Sequence, residues 1–432
     1  MSELTPMEWN TQQQEAIDAC CDVSKRVVAV TGSAGTGKTR LIEAVHKQLT
    51  AYGYSCQASA PTGKAAKRIQ EATGLDAMTN HRLLGYGTPI EVEEVGPTGR
   101  KRIVKLSTGP RHRKEFPMDY DTILCDEYAM VNQEIHRNLI DALKCGARIC
   151  MFGDANQLKP IEENIALNDK PSSFQEMLRR FKGITLQTNH RQDEGSGITA
   201  NGALILAGRI PKRTGDFDIF VTDQPVDAIR EHVTRALDSG VDYSTVNHQI
   251  ITGMNKSWIG TRRLNLVIQS MFWDRTSPFA TLDRWKSDND NPPIRVQVGS
   301  KVVNTANTYD LGNGDAVFNG ECGIVNAIDF EYGGIEVDFG DRCVIIPPLV
   351  VVTKSNGKTI EFDPRKNIDL AYVLTTHKCQ GSEYQHVLYC MNKTTTWVQS
   401  RRNFYTGITR ARKHCTVITD MQSITKSTKF PG

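Results

Sequence analysis

Eight residues near the amino terminus have the types and spacing of a phosphate-binding loop. The segment GSAGTGKT, residues 32–39, fits the pattern G-x-x-x-x-G-K-[ST] and lies between an apolar run, VVAVT, and an amphipathic stretch. Glycines in such a loop let backbone N–H groups close around phosphate oxygens, while Lys38 reaches the β- and γ-phosphates and Thr39 can bind Mg²⁺. A chance match in a chain of this length is on the order of one in a hundred. The loop predicts nucleotide contacts from Gly35, Thr36, Gly37, Lys38 and Thr39.

A loop of this kind needs an acidic partner at the end of a neighbouring strand. Asp126 and Glu127 follow the apolar run TILC, so Asp126 is predicted to hold Mg²⁺ and Glu127 to polarise the attacking water. By itself, an acidic pair after an apolar run is more often a surface turn, but the intact phosphate loop favours the catalytic interpretation. Gln157, in the loop GDANQLKP after the next apolar run, is placed to sense the γ-phosphate.

The elements that position these residues alternate as in an α/β fold. Parallel-sheet strands are predicted at 27–31, ending near 60, at 122–125 and 148–152, then in a second set at 184–187, 249–252, 372–376, 386–390 and 415–419. Helices are predicted at 39–49, 133–144 and 225–238. This pattern predicts two α/β domains, residues 1–182 and 183–432.

Each predicted domain carries an insertion. Residues 85–117 contain IEVEEV, a GPTG turn and RKRIVKL, which predict a β-hairpin. Residues from about 270 to 360 contain short strand-like runs at the spacing of a small β-barrel. From Gly96 to Lys114 there are seven Lys or Arg and no acid, a run that by composition alone is more often a solvated loop than a binding site.

Composition excludes several classes of protein. The 432 residues, with 39% hydrophobic and 23% charged, are typical of a globular chain that folds throughout, and the formal charge is only +3. No run approaches the roughly 18 apolar residues of a membrane span, and the start of the chain lacks a signal-peptide pattern, so a cytoplasmic location is expected. Eleven cysteines without a C-x-x-C pair suggest reduced thiols, not a disulfide framework or a zinc ribbon.

Taken together, the motifs resemble those of the superfamily 1 helicases of the B type, which include RecD-like enzymes, TraI and the phage Dda helicase. In length and arrangement the chain looks most similar to Dda. The matching blocks, in the family's order, are GSAGTGKT, APTGKAAK, TNHRLLG, DEYAM, GDANQLKP, NHRQ, LAYVLTTHKCQGSEY and YTGITRAR. The resemblance implies two RecA-like P-loop NTPase domains, with a β-hairpin wedge inserted in the first and an SH3-like small barrel in the second.

The resemblance also implies roles at the nucleotide. Gln13 looks like the glutamine that reads adenine, and Arg191 and Arg410 look like the two arginines that complete the ATP site from the second domain. Such arginines contribute about 10³ to 10⁵ in rate in comparable systems. His190 stands where many relatives have a Tyr stacked on adenine, so imidazole offers a smaller platform. The block QGSE resembles the one that meets the γ-phosphate and ribose, through Gly381 and Glu383.

Other blocks resemble the family's contacts with single-stranded DNA. These are Pro61, Thr62 and Lys64 in APTGKAAK, His81 in TNHRLLG, and Thr376 with His377 in TTHKCQG. Hydroxyls and backbone N–H groups suit phosphates, and His can stack on a base. Beside this resemblance the basic run becomes a predicted DNA contact, with Arg100, Lys101 and Arg102 at the hairpin.

The implied activity is an ATP-dependent DNA helicase and translocase that uses ATP and Mg²⁺. By resemblance it moves 5′ to 3′ on single-stranded DNA, unwinds tailed or forked duplex, displaces bound proteins and acts as a monomer, with a single-strand-binding protein as a candidate partner. The alternative is a nucleotide-gated remodeller that binds single strands without opening duplex. A P-loop small-molecule kinase is disfavoured, because the second domain's HKCQGSE and ITRAR would then have no purpose.

Overall fold

The computed structural model describes residues 9–86, 109–160, 162, 170–188, 196–284, 292–308, 311, 312, 314–353 and 359–431, together with the backbone of 90–95 and 101–106. The chain divides into two compact units, Met1–Arg191 and Gln192–Gly432. Among the residues described, no helix is long and apolar enough to cross a membrane.

The first unit is a parallel α/β sheet with helices on its faces. Its helices are α1 Thr11–Cys21, α2 Lys38–Ala51, α3 Gly63–Thr73, α4 Asn80–Leu83, α5 Gln133–Asp141 and α6 Ser173–Arg180. Its strands are β1 Val27–Gly32, β2 Cys56–Ala60, β3 Ala77–Thr79, β4 Ile90–Val95, β5 Lys101–Leu106, β6 Thr122–Cys125, β7 Arg148–Gly153 and β8 Ile184–Leu186. The main sheet has the order β3-β2-β6-β7-β1-β8, with every neighbouring pair parallel.

Strand β7 shows why this sheet is covered on both faces. Ile149 and Met151 pack in one buried cluster, whereas Cys150 and Phe152, on the alternate positions, pack in another. Successive side chains of a strand point to opposite faces, so a continuous apolar run needs cover on both sides. The predicted parallel α/β sheet is confirmed.

The short strand β8 corrects one sequence prediction. The sequence predicts the run at 184–187 as part of the second domain, but Ile184–Leu186 pairs in parallel with Val30–Gly32 of β1 and closes the edge of the first sheet. Leu186 is buried in the same cluster as Ile17 of α1 and Val30 of β1. Three residues carry no periodicity that tells which sheet they join, so only the tertiary packing decides it.

The second unit contains a second parallel sheet and several antiparallel strands. Its helices are α7 Gly197–Leu206, α8 Pro225–Asp238, α9 Thr261–Phe272, α10 Arg401–Ile408 and α11 Met421–Lys429. Its strands are β9 Phe217–Val221, β10 His248–Thr252, β11 Ala280–Leu282, β12 Ile294–Val296, β13 Lys301–Asn304, β14 Cys322–Ile328, β15 Ile335–Asp338, β16 Cys343–Ile346, β17 Val350–Thr353, β18 Thr359–Phe362, β19 Ile368–Leu370, β20 Val373–Thr375, β21 Tyr384–Cys390 and β22 Ala411–Thr419.

The parallel sheet of this unit has the order β20-β10-β21-β22-β9. An antiparallel sheet of order β16-β15-β14-β13-β19 lies in the region of the second insertion, and β11–β12 and β17–β18 form two-stranded pairs. In the first insertion β4 and β5 pair antiparallel, from Ile90 opposite Leu106 to Val95 opposite Lys101. The GPTG turn between them lies outside the described residues.

Candidate nucleotide site and strand-end loops

The phosphate loop leaves the carboxyl end of β1 and enters α2 through two residues with left-handed backbone. Gly35 has φ +88° and Gly37 has φ +87°, a region that glycine adopts without strain. A Cβ on Gly37 would also lie 2.9 Å from the side-chain nitrogen of Gln13. The loop conformation therefore depends on glycine at this position for two separate reasons.

Lys38 and Thr39, the first residues of α2, face the loop and the neighbouring strand. The Lys38 ammonium donates to the carbonyls of Gly32 at 2.8 Å and Ser33 at 2.9 Å. The Thr39 hydroxyl donates to Asp126 Oδ2 at 3.2 Å. Since β1 and β6 flank β7 in the sheet, the folded first unit brings together two motifs 87 residues apart in the chain. Carboxyl ends of parallel strands are where open α/β sheets bind ligands.

Asp126 and Glu127 form an electronegative pair after β6. Burial raises the pKa of Asp126, the Glu127 carboxylate raises it further, and Lys38 and Arg68 lower it. Glu127 has φ +49°, a left-handed conformation that costs a non-glycine residue about 1–3 kcal/mol. Its Oε2 atom is buried and has no hydrogen-bond partner in the described part of the chain. Strain and an unsatisfied carboxylate oxygen at one residue are typical of a site built for a ligand.

The oxygen ligands at this position fit Mg²⁺. The Thr39 hydroxyl and the Asp126 carboxylate lie within 3.2 Å of each other, and both are the hard oxygen donors that Mg²⁺ binds together with substrate phosphates. Two cations of the same unit, Lys38 and Arg68, lower the pKa of Asp126 against the effects of burial and of Glu127. Sequence analysis missed Arg68, although it lies four residues after Lys64 on α3, at the spacing of one helix face.

Gln13 lies beside the loop and holds it. Its side-chain nitrogen donates to the carbonyl of Thr36 at 3.2 Å, and its oxygen accepts from the backbone N–H of Asn10 at 3.2 Å in a capping box. Thr36 is buried, and its hydroxyl donates to the Ser33 carbonyl at 2.9 Å. The structure thus gives Gln13 an anchoring role, and its reading of adenine stays a prediction.

Gln157 lies after β7, whose end falls between those of β1 and β6. It is buried, and its side-chain nitrogen donates to Asp154 Oδ2 at 3.5 Å. Asp154 is buried as well and accepts from the backbone N–H of Asn156 at 3.0 Å. Sequence analysis did not single out Asp154, which shapes the loop that carries Gln157.

The predicted DNA contacts of the first unit follow β2 and β3, at the same edge of the sheet. Pro61 follows β2, Thr62 caps α3 by accepting from the Ala65 N–H at 3.2 Å, and Lys64 lies in the first turn of that helix. His81 is exposed on α4, with its ring centroid 5.1 Å from that of Tyr86. These residues follow β2 and β3, whereas the predicted nucleotide contacts of this unit follow β1, β6 and β7.

Arg410 lies directly before β22 and is 1% exposed. Its guanidinium donates to the carbonyls of Thr406 at 3.0 Å and Ser382 at 3.3 Å, and to the Thr409 hydroxyl at 3.3 Å. In the part of the chain that the structure describes, no carboxylate forms an ion pair with it. A buried charge is normally paired, so this arginine carries positive charge suited to an anion.

Gly381 and Glu383 lie between β20 and β21 of the same unit. Gly381 has φ +72°, and Glu383 accepts from Arg412 at 3.1 Å. Three other predicted site residues, Arg100, His190 and Arg191, lie outside the described residues, and Lys101 and Arg102 are described only as backbone of β5.

Thr376 and His377 follow β20. The Thr376 hydroxyl is fully buried and donates to Asn403 Oδ1 at 2.7 Å, an oxygen that also accepts from the Tyr389 hydroxyl at 3.0 Å. His377 is partly buried, and burial lowers its pKa. The buried network makes the Thr376 side chain part of the framework, and the contact of Thr376 with DNA stays a prediction.

Two family models match the chain. The AAA domain model covers residues 8–217, and the UvrD-like helicase C-terminal domain model covers residues 370–418. The chain is 29% identical over 390 residues to the ATP-dependent RecD2 DNA helicase of Deinococcus radiodurans, which covers 90% of this chain and 46% of that protein. It is 25% identical over 437 residues to the RecBCD enzyme subunit RecD of Mycolicibacterium smegmatis, covering 92% and 69%. The chain thus spans about half the length of the RecD2 relative.

Solved structures with a similar fold are those of Pif1 helicases. Bacteroides Pif1 bound to single-stranded DNA has a TM-score of 0.60 at 18% identity, covering 99% of this chain and 95% of that one. Pif1 from Bacteroides in complex with ADP-AlF3 and single-stranded DNA has a TM-score of 0.58 at 20% identity, with the same coverage. The comparisons support the predicted resemblance to RecD-type superfamily 1 helicases, while the likeness to Dda in particular stays a prediction.

Proposed function

We propose that the chain is an ATP-dependent DNA helicase of the RecD/Pif1 type. The observation that carries the proposal is the cluster at the carboxyl edge of the first sheet, where Lys38, Thr39 and Asp126 meet beside the strained, unsatisfied Glu127. The matches to RecD proteins, the UvrD-like C-terminal model and the Pif1 fold support DNA as the polymer on which the energy is spent.

In this proposal each residue of the cluster has a distinct task. Backbone N–H groups of the loop and the Lys38 ammonium bind the phosphates in exchange for the loop carbonyls that Lys38 contacts now. Thr39 and Asp126 would hold Mg²⁺, which when bound neutralises charge on the β- and γ-phosphates. Glu127 orients and polarises the attacking water, and Gln157 senses the γ-phosphate.

Arg410 is proposed to act on the γ-phosphate as an arginine finger, with Arg191 as a second one. The support is that Arg410 is a buried guanidinium whose described partners are two carbonyls and a hydroxyl, all neutral acceptors. A phosphate oxygen would be a stronger, charge-assisted acceptor than any of them. Gly381 and Glu383 are proposed to contact the ribose and the γ-phosphate. Gln13 is proposed to recognise the adenine, and His190 to lie against the face of the adenine ring.

The polymer is proposed to be single-stranded DNA, entered from tailed or forked duplex, with movement 5′ to 3′. The first unit offers four of the proposed contacts at one edge of its sheet, namely Pro61, Thr62, Lys64 and His81. The second unit offers Thr376 and His377 directly after β20. Each set is placed to contact the phosphate backbone of the DNA strand. The β4–β5 hairpin, with Arg100, Lys101 and Arg102, is proposed as the wedge, and the antiparallel sheet of the second insertion as an SH3-like cover. Displacement of bound proteins, monomeric action and a single-strand-binding partner complete the proposal.

The deciding experiment measures ATP hydrolysis alone, with single-stranded DNA and with single-stranded RNA, and then unwinding of duplexes with 5′ or 3′ overhangs. We expect stimulation by DNA and unwinding of the 5′-tailed duplex only. Stimulation without unwinding, combined with removal of a bound protein from a single strand, would instead identify a remodeller. Absence of stimulation by any polymer would refute the proposal.

A further inference from the structure

Two exposed tryptophans on the second unit have no part in the site described above. Trp397 is 92% exposed and Trp258 is 54% exposed, although indole is among the side chains that gain most from burial. Single exposed aromatic residues are common and carry no meaning alone. These two tryptophans share three features: their loops lie at the same edge of the sheet, both loops are rigid, and both lie in basic segments.

The two tryptophan loops leave adjacent strands at the same edge of the sheet. Trp258 follows β10, Trp397 follows β21, and Thr376 follows β20, while the strand order is β20-β10-β21. The Thr376 N–H donates to the carbonyl of Thr252, the last residue of β10, at 2.9 Å. A Cβ added to Gly253 would lie 2.5 Å from Val398 Cγ2, so the loop after β10 touches the residue next to Trp397.

Both loops are built rigidly. In the Trp258 loop, the Thr261 hydroxyl donates to Asn255 Oδ1 at 2.8 Å, and the N–H of Arg262 donates to the Asn255 carbonyl at 3.3 Å. Trp397 lies in a 3₁₀ turn, Lys393–Val398, which begins with a capping box at Asn392. The Gln399 side chain closes that turn by donating to the Asn392 carbonyl at 2.7 Å. Each indole is therefore presented on a fixed backbone.

The chain segments that carry these loops are basic in sequence, with Arg410 buried and Arg412 paired with Glu383. Residues 253–272 contain three Lys or Arg and no Asp or Glu, and residues 391–413 contain six Lys or Arg and no Asp or Glu. The Arg263 guanidinium carbon lies 3.2 Å from the centroid of the Trp258 ring, a cation–π contact on one face of an indole that is 54% exposed. The nearby Asp420 carboxylate is occupied by the N–H groups of Lys393 and Ser423.

We infer that Trp258 and Trp397 are stacking platforms for the bases of single-stranded DNA at the strand ends of the second unit. Fixed aromatic faces beside basic residues are the arrangement by which proteins grip single strands without reading sequence. This inference rests on the proposed function and refines it, since none of the predicted DNA contacts includes an exposed indole. A polypeptide partner would be expected to cover a continuous apolar area, which two indoles set among basic residues do not provide.

The test compares two labelled strands of about 12 nucleotides, oligothymidylate and an abasic strand with the same phosphates, in binding to the full chain. We expect the wild type to prefer the strand with bases. In Trp397→Ala and Trp258→Ala the dissociation constant for oligothymidylate should rise by about 5- to 100-fold, while that for the abasic strand stays within about twofold. Trp397→Phe should retain most of the preference, because a smaller ring still stacks.

Tyr52→Ala is the matched control, since Tyr52 is an aromatic residue 73% exposed at the end of α2 in the first unit and has no assigned role. It should bind both strands as the wild type does. Unchanged preference in both tryptophan variants would overturn the inference, and so would an equal loss for both strands, which would mean that the indoles only shape their loops. If the wild type bound neither strand, the proposed helicase function itself would fall.

Discussion

Two buried polar clusters at strand ends, one in each unit, differ in how far their hydrogen bonds are satisfied. In the first unit, Glu127 is strained with an unsatisfied carboxylate oxygen, and the pKa of Asp126 is raised by burial and by Glu127. In the second, the Thr376 and Tyr389 hydroxyls both donate to Asn403, which fixes the framework behind exposed aromatic side chains. The unsatisfied Glu127 oxygen marks a place where a ligand can supply the missing partner, and the satisfied Asn403 network marks a rigid framework.

Under the proposed function, this difference indicates where the nucleotide is hydrolysed and where the polymer is held. Strain and uncompensated charge are useful where bonds are broken, because the ligand that relieves them is bound tightly and oriented. A surface that grips and releases a polymer gains more from rigidity, since ordering its side chains at every step would cost free energy.

Glu127→Gln should have the largest effect, because it removes the negative charge that polarises water while keeping the shape of the side chain. We expect ATP turnover to fall by at least about 10³-fold with nucleotide binding retained. Steady-state hydrolysis and binding of a fluorescent nucleotide measure the two quantities separately. The matched control is Glu71→Gln, an exposed glutamate on α3, which should hydrolyse ATP normally. Normal turnover by Glu127→Gln would remove the catalytic meaning of the strain.

Arg410→Ala tests whether a buried cation of the second unit acts on the nucleotide. Hydrolysis should slow by at least about 10³-fold while nucleotide stays bound, because an arginine finger stabilises charge that develops only during transfer. Arg209→Ala, an exposed arginine of the same unit, is the control and should hydrolyse ATP normally. Arg410→Lys keeps the charge without the planar fork and should recover only part of the rate. Near-wild-type hydrolysis by a folded Arg410→Ala would show that this buried charge is structural.

Deletion of residues 95–102 should distinguish DNA-stimulated ATP hydrolysis from duplex unwinding. We expect the shortened protein to keep DNA-stimulated ATP hydrolysis and to lose most of its unwinding of a forked duplex, because the hairpin is proposed to split base pairs without contributing to the nucleotide site. Both activities are measured on the same preparation, with a duplex of equal length. Equal loss of both activities would mean that the hairpin only supports the fold.

Sequence reasoning reached the nucleotide cluster because its signals are local. The eight residues of the phosphate loop encode a strand end, a turn and a helix start together, and the TILC run places Asp126 at the next strand end. It did not reach the anchoring of Thr36 by Gln13 or the burial of the Thr376 hydroxyl, since both depend on partners brought near by the fold. Composition could not show that the Trp397 indole is exposed while Thr395, two residues earlier, is buried. The 3₁₀ turn that contains both residues determines which side chains face solvent.

A group of histidines in the second unit predicts the smallest effect, a dependence of folding stability on pH. The pKa of His232 is lowered to about 4, mainly by burial and also by the charges of Arg235 and His414. Burial likewise lowers the pKa of His386 to about 4, with contributions from His248 and His414. These groups lie away from the strand ends that carry the tryptophans, so the second unit also holds partly buried histidines that resist charge.

The sign of the pH effect follows from these shifts. Between pH 6.5 and about 4 the unfolded chain binds protons at these histidines that the folded chain does not, so stability falls as pH falls through this window. His386 is substantially exposed, which reduces its share, and we expect a combined loss of about 2 kcal/mol. Chemical denaturation at pH 7 and pH 5 measures it. His232→Gln should reduce the difference in the free energy of unfolding between pH 7 and pH 5. An unchanged difference would assign the acid sensitivity to the carboxylates instead.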